Sequence, residues 1–135
     1  MNQENYILTI FIITIIFKAL GDGLHNFDYK QPKITRGYLY HSFWLVEPIA
    51  FLCLLFFQVP FNEFYIYVIG YILLRFGLFD FAYNIGAKKH FLYVGGTSLV
   101  DRMLNKLFKT ANSKGILFVL RGFSIMAGMY LIQNN

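Results

Sequence analysis

The chain has 135 residues, enough for one domain, and 57 % of them are hydrophobic while 14 % are charged. A soluble domain has about a quarter of its residues charged, so this composition excludes an ordinary soluble domain and indicates a membrane protein. The net charge of +5 lies between apolar segments and favours an anionic membrane surface over nucleic acid as its partner.

The first apolar run, residues 6–20, predicts a transmembrane helix. It lacks the basic n-region and the small-residue cleavage site of a signal peptide, and Gly21 and Gly23 suit a helix end. Extended to residues 5–22, it has roughly 18 residues and a length of about 27 Å, which is enough to cross a bilayer. The polar segment that follows carries the basic residues Lys30, Lys33 and Arg36.

The second and third spans are predicted at residues 42–61 and 64–86. A helix that began only at Pro48 would have roughly 14 apolar residues and a length of about 21 Å, too short to span. The second helix is therefore expected to tolerate Pro48. The very short connection between the two runs predicts that these helices are antiparallel neighbours. Cys53 is the only cysteine and lies within the second run, which excludes an internal disulfide.

An amphipathic helix is predicted at residues 98–110. Apolar side chains recur there at helical spacing, while Arg102, Lys106 and Lys109 lie mainly on the other side. This pattern is typical of a helix that lies in the membrane interface. A fourth span follows at residues 115–133. Close packing between spans is predicted at Gly70, Gly77, Gly122 and Gly128.

The basic residues predict the orientation of these spans. Nine of the twelve lie in the first and third loops, and none lies before the first span, in the second loop or after the fourth span. Because basic loops stay in the cytoplasm, the sequence predicts a multi-pass protein of the bacterial cytoplasmic (inner) membrane. Both termini are then outside the cytoplasm, and the interfacial helix is on the cytoplasmic face.

Polar side chains gather toward the cytoplasmic ends of the predicted spans and form a candidate polar site. Its members are Asp22, His25, Asp28, His41, Glu47, Arg75, Asp80, Asn84, Asp101 and Arg121. A charged side chain at the centre of a span costs roughly 2.5–3.5 kcal/mol on insertion scales, so it needs a partner. Arg75 and Asp80 lie on different helix faces, so Glu47 is the best partner for Arg75. Arg121 is then available to Asp80 or Asp22.

Three interpretations of this site are open. The first is a non-catalytic subunit or scaffold, in which the charges only fix helix packing. The second is an active site in which a divalent metal activates water or polarises a phosphoester. Its ligands would be Asp22, His41, Asp80 and Asp101, although no HExxH or multi-histidine spacing is present. The third is binding or transport of an ion, a lipid headgroup or a partner subunit.

Residues Gly95, Gly96, Thr97 and Ser98 open the amphipathic helix and could offer backbone N–H groups to a phosphate. The plain alternative is a turn with Ser98 as N-cap, because neither a P-loop nor a GxGxxG motif is present. The sequence thus favours an integral membrane protein whose polar cytoplasmic-side site binds a divalent metal or a phosphate-bearing headgroup, with the scaffold as the alternative. The expected partners are the bilayer, anionic lipid headgroups and a second copy or another subunit, with no nucleic acid.

Two stretches of the sequence carry a resemblance. RFGLFDFAYN (75–84) and FLYVGGTSLVDR (91–102), preceded by DGLHNFD (22–28) and a separate His41, resemble a group of small multi-span membrane proteins of bacteria and their phages. The resemblance implies no activity. The positions that it singles out are Asp22, Asp28, His41, Arg75, Asp80, Asn84, Tyr93, Gly95, Thr97 and Asp101.

Overall fold

The computed structural model describes residues 2–27, 33–90, 93–94, 99–109 and 111–135, and it describes side chains outside 25–44, 99–101 and 111–113. These residues form five α-helices and no strand, which confirms the predicted all-α class. The helices are α1 (Gln3–Phe27), α2 (Lys33–Phe56), α3 (Phe64–Gly86), α4 (Leu99–Leu107) and α5 (Ala111–Gln133).

Three helical segments are long and apolar enough to cross a membrane. They are Gln3–Leu24 in α1, Phe64–Gly86 in α3 and Lys114–Gln133 in α5. Each has at least the roughly 20 residues that a bilayer requires. The described part of α2 contributes a shorter apolar segment, Leu45–Phe56. The chain is therefore a candidate multi-span membrane protein, and the fourth span stays a prediction.

The bounds of α2 differ from the predicted 42–61. The helix begins at Lys33, continues through Pro48 as expected, and ends at Phe56. Beyond it, Gln58 has a φ of 55°, its N–H donates to the Leu55 carbonyl, and the Val59 N–H donates to the Leu54 carbonyl. This pair of hydrogen bonds is the Schellman motif that closes helices. The apolar sequence continues past this turn, so hydropathy alone placed the end too late.

The four long helices alternate in direction. Near the start of α1, the Gln3 amide donates to the Phe57 carbonyl at 2.8 Å, so α1 and α2 are antiparallel. Phe11 of α1 contacts Tyr71 of α3, and further along the same two helices Gly23 lies against Gly86, so α1 and α3 are parallel. α5 runs antiparallel to α3. The end of α1, the start of α2, the end of α3 and the start of α5 therefore lie at the same end of the bundle, which we call the loop-bearing end.

Glycines allow the closest approaches between α1, α3 and α5. A Cβ on Gly86 would lie 2.7 Å from the Leu20 carbonyl oxygen, and one on Gly128 would lie 2.8 Å from the Gly70 carbonyl oxygen. Gly77 is equally tight against α5. These contacts confirm the packing role predicted for Gly70, Gly77 and Gly128. The same prediction for Gly122 is wrong, because that glycine faces open space.

An aromatic cluster joins α1, α2 and α3 in the core. The rings of Phe11 and Phe51 are 5.7 Å apart, and Tyr71 meets both edge-on at 5.0 and 4.8 Å. Backbone packing in the described residues is closest between α1 and α3, between α3 and α5, and between α1 and α2. α2 and α3 meet through long side chains instead. The predicted antiparallel hairpin is thus present, but α1 packs more closely against each of its two helices.

Candidate functional site

Each basic residue within the apolar parts of the helices pairs with a carboxylate. Lys18 Nζ lies 2.8 Å from Asp22 Oδ1, Arg75 Nε lies 2.9 Å from Glu47 Oε1, and Arg121 Nη2 contacts Asp80 Oδ2. The sequence predicted the pair Arg75–Glu47, and Arg121–Asp80 is one of the two alternatives that it left open for Arg121. Lys18–Asp22 was missed, although its i, i+4 spacing is a signal that the sequence contains.

The pair between α3 and α5 is the most deeply buried of these contacts. The Arg121 side chain is 3 % exposed and Asp80 is 22 % exposed. One turn further along α5, the Ser124 hydroxyl donates to the Leu73 carbonyl at 2.7 Å. Arg121 Nε is buried and has no hydrogen-bond partner in the described part of the chain. The pair therefore fixes the register of α5 on α3, and the guanidinium is not fully satisfied.

A second cluster joins α2 to α3 halfway along the helices. Oε1 of Glu47 accepts hydrogen bonds from the Tyr71 hydroxyl at 3.0 Å and from Arg75 Nε at 2.9 Å. The Arg75 guanidinium carbon lies 4.4 Å from the centre of the Phe79 ring, a cation–π contact. We call Glu47, Tyr71 and Arg75 the mid-span cluster. Tyr71 was not among the predicted site residues, because nothing in its apolar, aromatic stretch of sequence distinguishes a hydrogen-bonding tyrosine from the other aromatic residues.

At the loop-bearing end of the bundle, α3 holds the segment that leads to α4. The buried Asn84 donates from Nδ2 to the Tyr93 carbonyl at 2.8 Å. Asn105 of α4 donates to the next carbonyl, that of Val94, at 3.4 Å. Two consecutive backbone carbonyls thus accept hydrogen bonds from side-chain amides on two different helices, α3 and α4. Asn84 therefore acts as a structural anchor for α4, a role that its spacing from Asp80 did not indicate.

The predicted site residues with described side chains thus include three local ion pairs. Glu47 meets Arg75, Asp80 meets Arg121, and Asp22 meets Lys18 within its own helix. Four of the predicted side chains lie outside the described part of the structure, namely those of His25, Asp28, His41 and Asp101. The same holds for the predicted phosphate-binding residues Gly95, Gly96, Thr97 and Ser98.

The described side chains include no group of three or more His, Cys, Asp or Glu that could hold a metal ion. Of the four predicted ligands, Asp22 and Asp80 are described, and each faces a cationic side chain. A nearby cation occupies the electrostatic position that a metal ion would take, so these two carboxylates fit a divalent cation poorly.

Positive charge is concentrated at the loop-bearing end. We define the basic end by its exposed and half-buried basic residues, Lys88, Lys89, Arg102, Lys106, Lys109 and Lys114. Lys89 Nζ lies 3.9 Å from the Tyr93 ring centre. Between residues 87 and 114 the chain has these six basic residues and one acidic residue, Asp101. The basic end therefore has a surplus of positive charge, whereas the helices it caps are internally neutralised.

The chain matches no protein-family model, no curated protein and no solved structure.

Proposed function

We propose that the protein is a non-catalytic, four-span membrane protein that binds the phosphate-bearing headgroups of anionic lipids at its basic end. The paired charges within the helices hold the bundle together, and the basic end supplies the binding surface. The observation that carries this proposal is the distribution of charge. The carboxylates Asp22, Glu47 and Asp80 each face a cation inside the bundle, while the surplus charge at the loop-bearing end is positive.

That distribution favours an anionic ligand over a metal. A divalent cation needs several carboxylate or imidazole ligands that are not already neutralised. A phosphate group needs cationic side chains near the membrane surface, and each contributes about 1 kcal/mol to the attraction of an anionic leaflet. Lys106 is exposed in the same short helix as Arg102, and Lys109, two residues after the end of that helix, is also exposed. They meet the second requirement.

The packing of α4 supports an interfacial position. Leu104, Asn105 and Phe108 are half-buried, whereas Met103 is 56 % exposed and Leu107 is 70 % exposed. The bundle therefore covers only part of the apolar face of α4. In an interfacial helix, such exposed apolar side chains enter the acyl boundary while neighbouring basic side chains meet the headgroups.

The helix directions support a fourth crossing. α1 and α3 are parallel, so the chain leaves α1 at one end of the bundle and enters α3 at the other end. If both helices span, the connection through α2 must cross the bilayer as well. α2 has 24 residues and a length of about 36 Å, which is sufficient. With the basic end in the cytoplasm, this is the predicted bacterial inner-membrane orientation.

The proposal is tested by lipid selectivity. The protein is extracted in mild detergent from bilayers with equal amounts of phosphatidylglycerol and phosphatidylcholine, and the retained lipids are counted by mass spectrometry. We expect phosphatidylglycerol to be enriched. The double variant Lys106→Gln/Lys109→Gln should lower that enrichment roughly thirtyfold, whereas the matched control Lys106→Arg/Lys109→Arg should retain it.

Two results would contradict headgroup binding. Equal retention of both lipids by the wild type would leave only the scaffold function, in which the charges fix packing and bind nothing. A stoichiometric divalent metal in the purified protein, measured by elemental analysis and lost in Asp80→Asn, would instead favour the metal site.

A further inference from the structure

The mid-span cluster has no role in the proposed lipid binding, because it lies far from the basic end. Arg75 is the central residue of α3, with eleven residues on either side, and so lies about 16 Å from each helix end. Glu47 of α2 is at the same depth, since it accepts a hydrogen bond from Arg75. In a spanning helix this depth is the centre of the bilayer, where ionised side chains are most costly.

The cluster uses only part of its hydrogen-bonding capacity. Among the described residues, Arg75 donates to Glu47 from Nε, and both bonds that Glu47 accepts end on Oε1. Oε2 of Glu47 thus accepts from no described residue, and the two Nη nitrogens of Arg75 donate to no described carboxylate. The Arg75 side chain is 37 % exposed and that of Glu47 is 24 % exposed. At mid-bilayer depth these groups require a further polar partner.

The neighbourhood of the cluster is accessible to another helix. Ile72 precedes Arg75 by one turn of α3 and is 57 % exposed, and Pro48 follows Glu47 in α2 and is also exposed. Phe11, Phe51 and Tyr71 close the cluster from the core side. The open side therefore presents an arginine fork and a carboxylate oxygen within an apolar surface.

We infer that the mid-span cluster is the contact site of a two-fold symmetric dimer of this chain. In that dimer the Nη groups of Arg75 in each copy donate to Oε2 of Glu47 in the other copy. A two-fold interface requires a surface that complements itself. The cluster meets this condition because it carries an unused donor and an unused acceptor at one depth. Two copies inserted in the same orientation bring equal depths together, so Arg75 of each faces Glu47 of the other.

Cysteine cross-linking in bilayers tests the contact. Replacement of Cys53 by Ser removes the only cysteine, and Ile72→Cys then places a thiol beside the cluster. We expect a short bifunctional thiol reagent to link two copies of this variant at high lipid excess. Met126→Cys is the matched control, because Met126 is 67 % exposed on the outer face of α5 at a similar depth. It should give little cross-linking.

A second variant separates the cluster from a general loss of stability. Arg75→Lys keeps the charge that faces Glu47 but lacks the planar fork, so we expect the cross-linking yield at position 72 to fall at least fivefold. Ser124→Ala removes a hydrogen bond between α3 and α5 and should weaken the fold without lowering that yield.

Equal cross-linking at positions 72 and 126, or a yield that Arg75→Lys leaves unchanged, would overturn the dimer. So would cross-links of Ile72→Cys to a different protein only, with none between copies in the purified protein. Neither readout depends on lipid headgroups, so failure of the dimer and failure of headgroup binding are distinguishable.

Discussion

At the level of single residues, the charges within the helices determine which side chains can serve a ligand. Lys18, Arg75 and Arg121 each face one carboxylate at hydrogen-bonding distance. A charge that has a partner within the bundle stabilises packing, and removing that partner leaves the other charge buried and uncompensated. A substitution at any of these positions therefore changes the stability of the fold, whether or not it changes ligand binding.

The buried pair Arg121–Asp80 gives the first stability prediction. Asp80→Asn leaves Arg121, which is 3 % exposed, without a counter-charge, and breaking such a pair costs about 3 kcal/mol. The unfolding free energy in mixed detergent micelles should fall by that amount. Asp80→Asn/Arg121→Gln, which removes both charges, should recover a large part of the loss. Glu63→Gln is the control, since Glu63 forms no ion pair among the described side chains, and it should change stability by less than about 1 kcal/mol.

At the level of helices, the sequence predicted more about partners than about boundaries. The pairing of Arg75 with Glu47 followed from helix geometry, because five residues along one helix separate Arg75 from Asp80 by more than a quarter turn. The end of α2 at Phe56 did not follow from the sequence, because it depends on a backbone turn at Gln58. The assignment of Gly122 to a packing face was wrong because the sequence of an apolar helix does not show which glycine faces a neighbouring helix.

The contrast between two glycines gives a prediction about helix packing. A Cβ on Gly86 would meet the Leu20 carbonyl oxygen at 2.7 Å, so Gly86→Ala must push α1 away from α3. Overpacking of this kind costs about 1–3 kcal/mol, and thermal unfolding in detergent should show the loss. Gly122→Ala adds the same methyl group into open space and should be neutral or stabilising by up to about 1 kcal/mol. Equal effects of the two substitutions would contradict the observed packing.

At the level of the whole molecule, the helix directions and the charge distribution support each other. If α1 and α3 both span the membrane, their parallel arrangement requires a crossing between them, and the six basic residues between positions 88 and 114 lie at one end of the resulting bundle. The candidate site was only partly predictable. Spacing located the intramembrane charges, but it suggested one convergent cluster where the described residues form three separate pairs. Helix periodicity defines the face of a residue within its own helix, and it does not define the distance between faces of different helices.

Thiol accessibility tests the orientation of the chain and the crossings by α3 and α5. In a Cys53→Ser background, Asn62→Cys and Asn134→Cys lie at one end of the bundle, and Asn112→Cys lies in the first turn of α5 at the other end. Because basic loops remain in the cytoplasm, a membrane-impermeant thiol reagent should label positions 62 and 134 on intact cells. Position 112 should react only after the membrane is permeabilised. A different result is that position 134 is labelled on intact cells but position 62 reacts only after permeabilisation. This result would mean that α3 does not cross the membrane, since α3 alone separates position 62 from the basic end. Labelling of position 112 on intact cells would reverse the orientation and place the basic end, and with it the proposed headgroup-binding surface, outside the cytoplasm.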